Sequence, residues 1–238
     1  LLEKKYGVQC VHIYDLNFNP RRSRVEEFLK EMQSRKLNIK YCFLGNAHSF
    51  VRDRDLLEDL HETGFISGVF GLEVADEDEL KKMNKGITVD DVREVTEQFR
   101  KYGIASVITW MIGFPDDDEA IIKKRVQALD TIDPDVSSLQ MLLPVPGMPM
   151  YDECKQYIVE HDLKKWDFHQ PVVRTKHLTR EQLGELAVWA NMEFYTKKNR
   201  VRRVLESPVL HPFSKAIFQS YMAGMEEYAR KATGKQVA

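Results

Sequence analysis

Apolar positions along this chain alternate between two rhythms. Short runs rich in β-branched and apolar residues, at 8–14, 39–44, 66–72, 105–112 and 136–142, recur about every thirty residues, the length of a strand–helix–strand unit. Between them the spacing becomes helical. Val25, Phe28, Leu29 and Met32 share one face, as do Leu56, Leu57 and Leu60, and then Val92, Val95 and Phe99. Near-continuous apolar runs suit parallel strands covered on both sides, and the amphipathic helices supply the cover. Thr88 with Asp91 has the form of a capping box, and Gly64 and Gly103 stand where a left-handed residue ends a helix. The first residues read as the last turn of a helix closing at Gly7, with neither Met nor N-cap, so the expected start lies inside a domain.

Beyond residue 151 the strand rhythm stops. Residues 179–195 open Thr-Arg-Glu-Gln and carry Leu183, Leu186, Ala190 and Phe194 at helical spacing. A Pro-rich break at 207–212 precedes one last helix at about 213–231, bearing Ile217, Phe218, Tyr221, Met222, Met225 and Tyr228. The expectation is an α/β region over 1–150 and a helical C-terminal extension over 151–238. Right-handed crossovers in series make a barrel or an open twisted sheet, and both place ligand chemistry at the C-terminal ends of the strands.

Composition narrows this only slightly. With 43% hydrophobic residues, 238 residues suffice for a sizeable core. The 35 basic and 37 acidic residues nearly cancel, so no global field draws the chain to nucleic acid or an anionic membrane. No apolar run approaches the ~20 residues of a membrane span, and no signal-peptide pattern opens the chain. A cytoplasmic protein is expected. Cys10, Cys42 and Cys154 are odd in number and far apart in sequence, which argues for buried thiols over a disulfide framework or a close-spaced metal knuckle.

The strand ends carry the candidate chemistry. After the first run, Asp15, Asn17 and Asn19 offer a carboxylate and two carboxamides that suit an amine, or that shape a turn through their own backbone. The third run ends Gly71-Leu72-Glu73, a glycine for close approach and a carboxylate for a diol, or for an ion pair with Lys81 or Lys82. The fourth ends Trp110-Met111-Ile112-Gly113-Phe114-Pro115, suited to a flat heteroaromatic ring or to a plain loop entry. The fifth runs into a Pro-Gly corner at 143–151. A basic run, 197–203, reads as a solvated helix face or as a contact for an anionic partner.

In this order the segments resemble the radical S-adenosylmethionine superfamily downstream of its cluster loop. The matching stretches are Ile13-Tyr14-Asp15-Leu16-Asn17-Phe18; Gly71-Leu72-Glu73 with residues 80–88; Ile112-Gly113-Phe114-Pro115; and residues 144–151. The tail, notably Trp166-Asp167-Phe168 and 178–183, is similar to the region after the barrel in the cobalamin-binding group that includes anaerobic magnesium-protoporphyrin IX monomethyl ester cyclase.

The resemblance implies a partial (β/α)6 TIM-like barrel with strands two to six present. The first strand and its CxxxCxxC loop would be missing. Implied cofactors are S-adenosylmethionine, a four-iron four-sulfur cluster whose thiolate ligands lie outside this segment, and cobalamin. Asp15 would lie by the methionine amine, Asn46 or His48 by its carboxylate and Glu73 by the ribose, with Phe18 also among the cofactor-binding residues. Trp110, Ile112, Gly113, Met141 and Leu142 would lie against adenine. The implied reaction is reduction of S-adenosylmethionine to a 5′-deoxyadenosyl radical, or cobalamin-dependent methyl transfer or cyclisation. It would act on a small-molecule substrate such as a tetrapyrrole, with flavodoxin or ferredoxin as electron donor and no nucleic-acid partner.

Many relatives carry an arginine where this sequence has Leu44-Gly45-Asn46-Ala47-His48, and neither Asn46 nor His48 supplies its fixed fork. No catalytic or metal-binding residue is assigned to this chain, which alone is expected to be inactive. Two other readings are a cluster-less nucleotide-binding or scaffold protein, and a phosphate-binding barrel. The latter is disfavoured because no Gly-rich phosphate loop follows a late strand.

Overall fold

The computed structural model describes residues 2–83 and 86–233. Asn84 and Lys85, inside the matching stretch 80–88, lie outside the described residues, as does Leu1. The order begins α1 (Leu2–Tyr6), β1 (Cys10–Ile13), α2 (Arg22–Arg35), β2 (Lys40–Leu44), α3 (Ala47–Arg52), α4 (Leu57–Thr63) and β3 (Phe65–Glu73). It continues with α5 (Glu77–Lys82), α6 (Val89–Lys101), β4 (Ala105–Ile112), α7 (Glu119–Ile132) and β5 (Val136–Met141). The tail holds α8 (Tyr151–Cys154), α9 (Arg180–Tyr195), α10 (Lys198–Leu205), α11 (Pro212–Ala223) and α12 (Met225–Thr233).

All five expected strands form, in sheet order β1-β2-β3-β4-β5, and every neighbouring pair is parallel. The helix ends obey the local signals. Thr88 and Asp91 make a reciprocal capping box on α6, Thr179 and Gln182 make another on α9, and Gly64 closes α4 at φ 108°. β1 is shorter than its apolar run, and Tyr14 beyond it is 84% exposed.

The sheet has two unlike faces. One packs Phe43, Phe70, Ile108, Trp110 and Leu139 against the helices, where Phe43, Phe50 and Phe65 stack and Phe99 meets Phe65 edge-on at 5.7 Å. Opposite, Val69, Val107 and Val136 meet residues of the tail, including Phe194, Tyr195, Val204 and Phe218. The tail crosses the N-terminal ends of the strands: Ser214 Oγ donates to the Ile66 carbonyl at 3.1 Å, and Val209 packs on Gly103. The strand ends where ligands are expected lie at the other extreme.

Residues after 151 also finish the sheet's β5 edge. Tyr195 Oη accepts from the Ser137 amide at 3.2 Å and donates to its carbonyl at 2.6 Å, while the Met141 amide donates to the Phe168 carbonyl at 2.8 Å. An edge strand's backbone groups are thereby satisfied without another strand. The tail's backbone pairing includes an isolated antiparallel bridge, Ile158 with Val173.

Two expectations change. The last helix is two helices, because Gly224, a weak helix former, caps α11 before α12 begins. The basic run is not a solvated face throughout: Lys198 and Arg202 are exposed, but Arg200 is not. Arg200, 4% exposed, meets Asp130 at 3.1 Å and Asp133 at 3.0 Å and donates to the Phe194 carbonyl at 2.8 Å, while Lys197 pairs with Asp130 and Arg203 with Asp135. α10 is clamped onto the turn between α7 and β5.

Candidate functional site

β3 ends in a bulge. Gly71 pairs with Thr109 but Glu73 pairs with Trp110, so Leu72 is the extra residue, and Glu73 takes a left-handed φ of 63°. The Val74 amide folds back on the Leu72 carbonyl at 2.8 Å. This bend lays the Glu73 carboxylate over Gly71, where a Cβ would come within 2.6 Å of Oε1 and 3.6 Å of Thr109 Oγ1. The Gly-x-Glu spacing thus has a steric reason: glycine clears the place that the carboxylate occupies. Non-glycine residues in this backbone region carry strain and cluster at functional positions.

β4 ends in a second turn that needs glycine. Gly113 sits at φ 104°, its amide donating to Asp117 Oδ2 at 2.8 Å and the Phe114 amide to the same oxygen at 3.1 Å. Asp117 is buried, with Arg125 at 2.8 Å, and burial pushes its carboxyl up while Arg125 pulls it back. The tail holds this loop from outside, through Thr175 Oγ1 donating to the Asp117 carbonyl at 2.7 Å and the Lys176 amide donating to the Pro115 carbonyl at 2.9 Å. Sequence reasoning did not single out Asp117. Its signal was an Asx residue four positions after the glycine, with the amides of a turn to satisfy.

The adenine candidates divide. Trp110, Ile112 and Met141 are buried on the helix-facing side, with Trp110 Nε1 donating to Ser137 Oγ at 2.8 Å. Only their main chain can meet a ligand on the opposite face. Gly113 and Leu142 come together: a Gly113 Cβ would lie 3.4 Å from Leu142 Cβ, and equally close to Val173 and Leu183 of the tail. Gly113 is buried under those side chains.

At the first two strands the residues knit to each other. Asp15 pairs with Arg24, while Asn17 Oδ1 accepts from the Asn19 amide at 3.3 Å, a local turn. Phe18 is 2% exposed between Phe28 and Phe43 and belongs to the core. Asn46 caps α3 by accepting from the Ser49 amide at 3.2 Å, and its own amide donates to buried Asn19 Oδ1 at 2.9 Å. His48 is exposed, 3.4 Å from Asp91. Cys10 and Cys42 have their Sγ atoms 4.0 Å apart, and burial with Cys10 alongside pushes the Cys42 thiol up to about 12. Among the described residues no group of three His, Cys, Asp or Glu side chains can hold a metal ion.

A parallel sheet covered by helices, with a glycine-cradled carboxylate and a glycine turn at its strand ends, is the arrangement of an α/β protein of the barrel type. The model of the radical SAM superfamily matches residues 1–125, more than half of the chain, and the chain belongs to that superfamily. An uncharacterized methyltransferase of Pyrococcus horikoshii is 22% identical over 83% of this chain and 43% of its own length. An anaerobic magnesium-protoporphyrin IX monomethyl ester cyclase of Cereibacter sphaeroides is 25% identical over 83% of this chain and 32% of its own. The chain therefore spans less than half of either relative. Among solved structures, the radical S-adenosylmethionine methyltransferase TsrM from Kitasatospora setae, with cobalamin and a 4Fe-4S cluster bound, has a TM-score of 0.59 at 17% identity, covering 96% of this chain and 52% of its own. The cobalamin-dependent radical enzyme OxsB, with aqua-cobalamin and S-adenosylmethionine bound, has the same TM-score at 14% identity, covering 93% and 39%. These matches establish the fold expected from sequence, a partial TIM-like barrel with a helical tail.

Proposed function

We propose that this chain is the S-adenosylmethionine-positioning part of a cobalamin-associated radical enzyme. The observation that carries the reading is Glu73, held in a left-handed bulge so that its carboxylate rests on Gly71 beside Thr109. A carboxylate accepts hydrogen bonds from both hydroxyls of a ribose, and Gly71 leaves the room in which that carboxylate lies. The main chain of Trp110, Ile112 and Met141 then borders the adenine, with Gly113 and Leu142 packed behind it against Val173 and Leu183. Asp15 and Asn46 stand at the methionine end; Asp15 has Arg24 as its present partner, so an incoming amine competes with that pair.

The cofactor with its iron–sulfur cluster supplies one-electron radical chemistry when bound, and this chain orients it and excludes water. No cluster ligand is assigned here, because the described residues contain no three-ligand group. In the finer reading the substrate is a large organic molecule such as a tetrapyrrole, the outcome is methyl transfer or cyclisation, and a flavodoxin or ferredoxin delivers electrons. The names of the relatives, magnesium-protoporphyrin ester cyclase and bacteriochlorophyllide d methyltransferase among them, support that direction. The test is calorimetric titration of the anaerobically reconstituted full-length protein with S-adenosylmethionine. Glu73→Ala is expected to weaken binding at least tenfold, and unchanged affinity removes Glu73 from the site.

A further inference from the structure

The segments that carry Glu73 and Gly113 are joined a second time, beyond the strand ends, by a buried arginine. Within the sheet Glu73 pairs with Trp110. Past that pair the chains diverge: β3 leads through buried Val74 and Ala75 into α5, and β4 leads into the Gly113 turn. Arg125 of α7 is buried and meets both. Its Nη2 donates to Glu79 Oε2 of α5 at 2.7 Å, and its Nη1 stands 2.8 Å from Asp117 Oδ1. The other Asp117 oxygen holds the Gly113 and Phe114 amides, so the guanidinium reaches the turn through a single carboxylate. Beside it on α7, Lys124 meets Asp76, the N-cap of α5, at 2.7 Å.

The choice of side chain is specific. A guanidinium is a planar fork whose terminal nitrogens serve two carboxylates at once in fixed geometry, whereas a lysine ammonium keeps the charge and loses the fork. Burying that charge costs free energy, and Arg125 Nε has no hydrogen-bond partner among the described residues. An apolar side chain packed at this place on α7 would avoid both costs. Glu79 and Asp117 also line one cavity of about 670 Å³ together with Met83 and Phe114, so α5 and the turn do not pack solidly there. The ion pairs span what packing leaves open.

We infer that Arg125 is a positioning residue, which keeps the main chain leaving β4 at a fixed separation from the Glu73 bulge. Those are the adenine and ribose ends of one nucleoside. The inference rests on the S-adenosylmethionine reading above, and neither Arg125 nor Glu79 touches the ligand in it.

The test is a double-mutant cycle in the anaerobically reconstituted full-length protein, titrated with S-adenosylmethionine. Arg125→Lys is expected to weaken binding about tenfold, and Glu79→Ala, which leaves Asp117 its arginine, about fivefold. In the Glu73→Ala background each loss should shrink to less than about twofold, because with the ribose end gone no separation remains to be kept. Arg200→Ala, on the tail side of the sheet, controls for general loosening and should bind as the wild type does. Wild-type affinity in either single variant overturns the inference, as do losses that simply add to that of Glu73→Ala. Should Arg125→Lys fail to fold, the cycle with Glu79→Ala, whose side chain is partly exposed, decides alone. If Glu73→Ala itself binds as the wild type does, the cofactor reading fails and this inference with it. If Glu73→Ala binds weakly while the Arg125 and Glu79 variants bind normally, only the inference fails.

Discussion

Glu73 offers a test that separates strain from contact. Holding a non-glycine residue in the left-handed region costs roughly 1–2 kcal/mol, and glycine escapes that cost but loses about 0.5–1 kcal/mol through greater freedom in the unfolded chain. At φ 63°, Glu73→Gly should therefore be more stable than Glu73→Ala by about 0.5–1 kcal/mol. Whatever the carboxylate contacts is lost equally in both variants, so the difference isolates the backbone. Urea titration at constant slope is the assay, and a thermal midpoint separation of roughly 2–4 °C per kcal/mol should accompany it. Both variants should lose S-adenosylmethionine affinity together. An alanine variant as stable as the glycine one would refute the strained bulge, and with it the reason for Glu73 to face Gly71. Gly71→Ala completes the argument: its new Cβ would meet chiefly the movable Glu73 carboxylate at 2.6 Å, so affinity should fall while stability holds within about 1 kcal/mol.

Three further expectations concern the scaffold. Arg200→Ala removes the buried arm of this cluster while Asp130 keeps Lys197 and Asp133 keeps Arg203, and should cost about 2 kcal/mol in denaturant unfolding; a loss below about 0.5 kcal/mol would show that α10 is not clamped. Tyr195→Phe removes both bonds to the Ser137 backbone and should cost about 1–2 kcal/mol, with faster hydrogen exchange at the Ser137 amide as its signature. Cys42 holds its proton more tightly folded, near 12, than the ordinary thiol value of 9.0. Its contribution is therefore complete below pH 9 and is lost as pH rises toward 12. Wild type should lose stability faster than Cys42→Ala between pH 9 and 11, and parallel losses would contradict the assigned cause.

Much of the architecture was legible because local signals agreed with the global fold. All five apolar runs became strands, and Thr88 with Asp91 marked a helix start that the structure repeats. What the runs concealed was orientation. A strand buried on both sides shows no alternation, so nothing around Trp110, Ile112 and Met141 distinguished the helix-facing side from the opposite one. Their apolar character fitted a ring-binding surface and a core equally well, and the structure places their side chains in the core. Phe18 followed the same logic. Arg200 and Arg203 of the basic run departed from a solvated face for a different reason: their partners Asp130, Asp133 and Asp135 lie about seventy residues upstream, beyond any local pattern. Cys10 and Cys42, distant in sequence, became neighbours through strand pairing.

The helical tail changes how the site is held. Thr175 and Lys176 bind the loop after β4 from outside, Val173 and Leu183 cover Gly113, and Phe168 anchors the last amide of β5. The two late strand ends are thus fixed by residues beyond 151. The two early ones are fixed locally, by Asn19 bridging to Asn46 and by Arg24 on Asp15. Glu73 sits between these groups, and its position is set by its own bulge. On the proposed reading, Asp15 must exchange Arg24 before it engages the methionine amine. The amine end is then engaged at the cost of an ion pair. Arg24→Ala should consequently leave ribose recognition intact and alter chiefly the contribution of the methionine amine, seen by comparing S-adenosylmethionine with 5′-methylthioadenosine, which lacks that end.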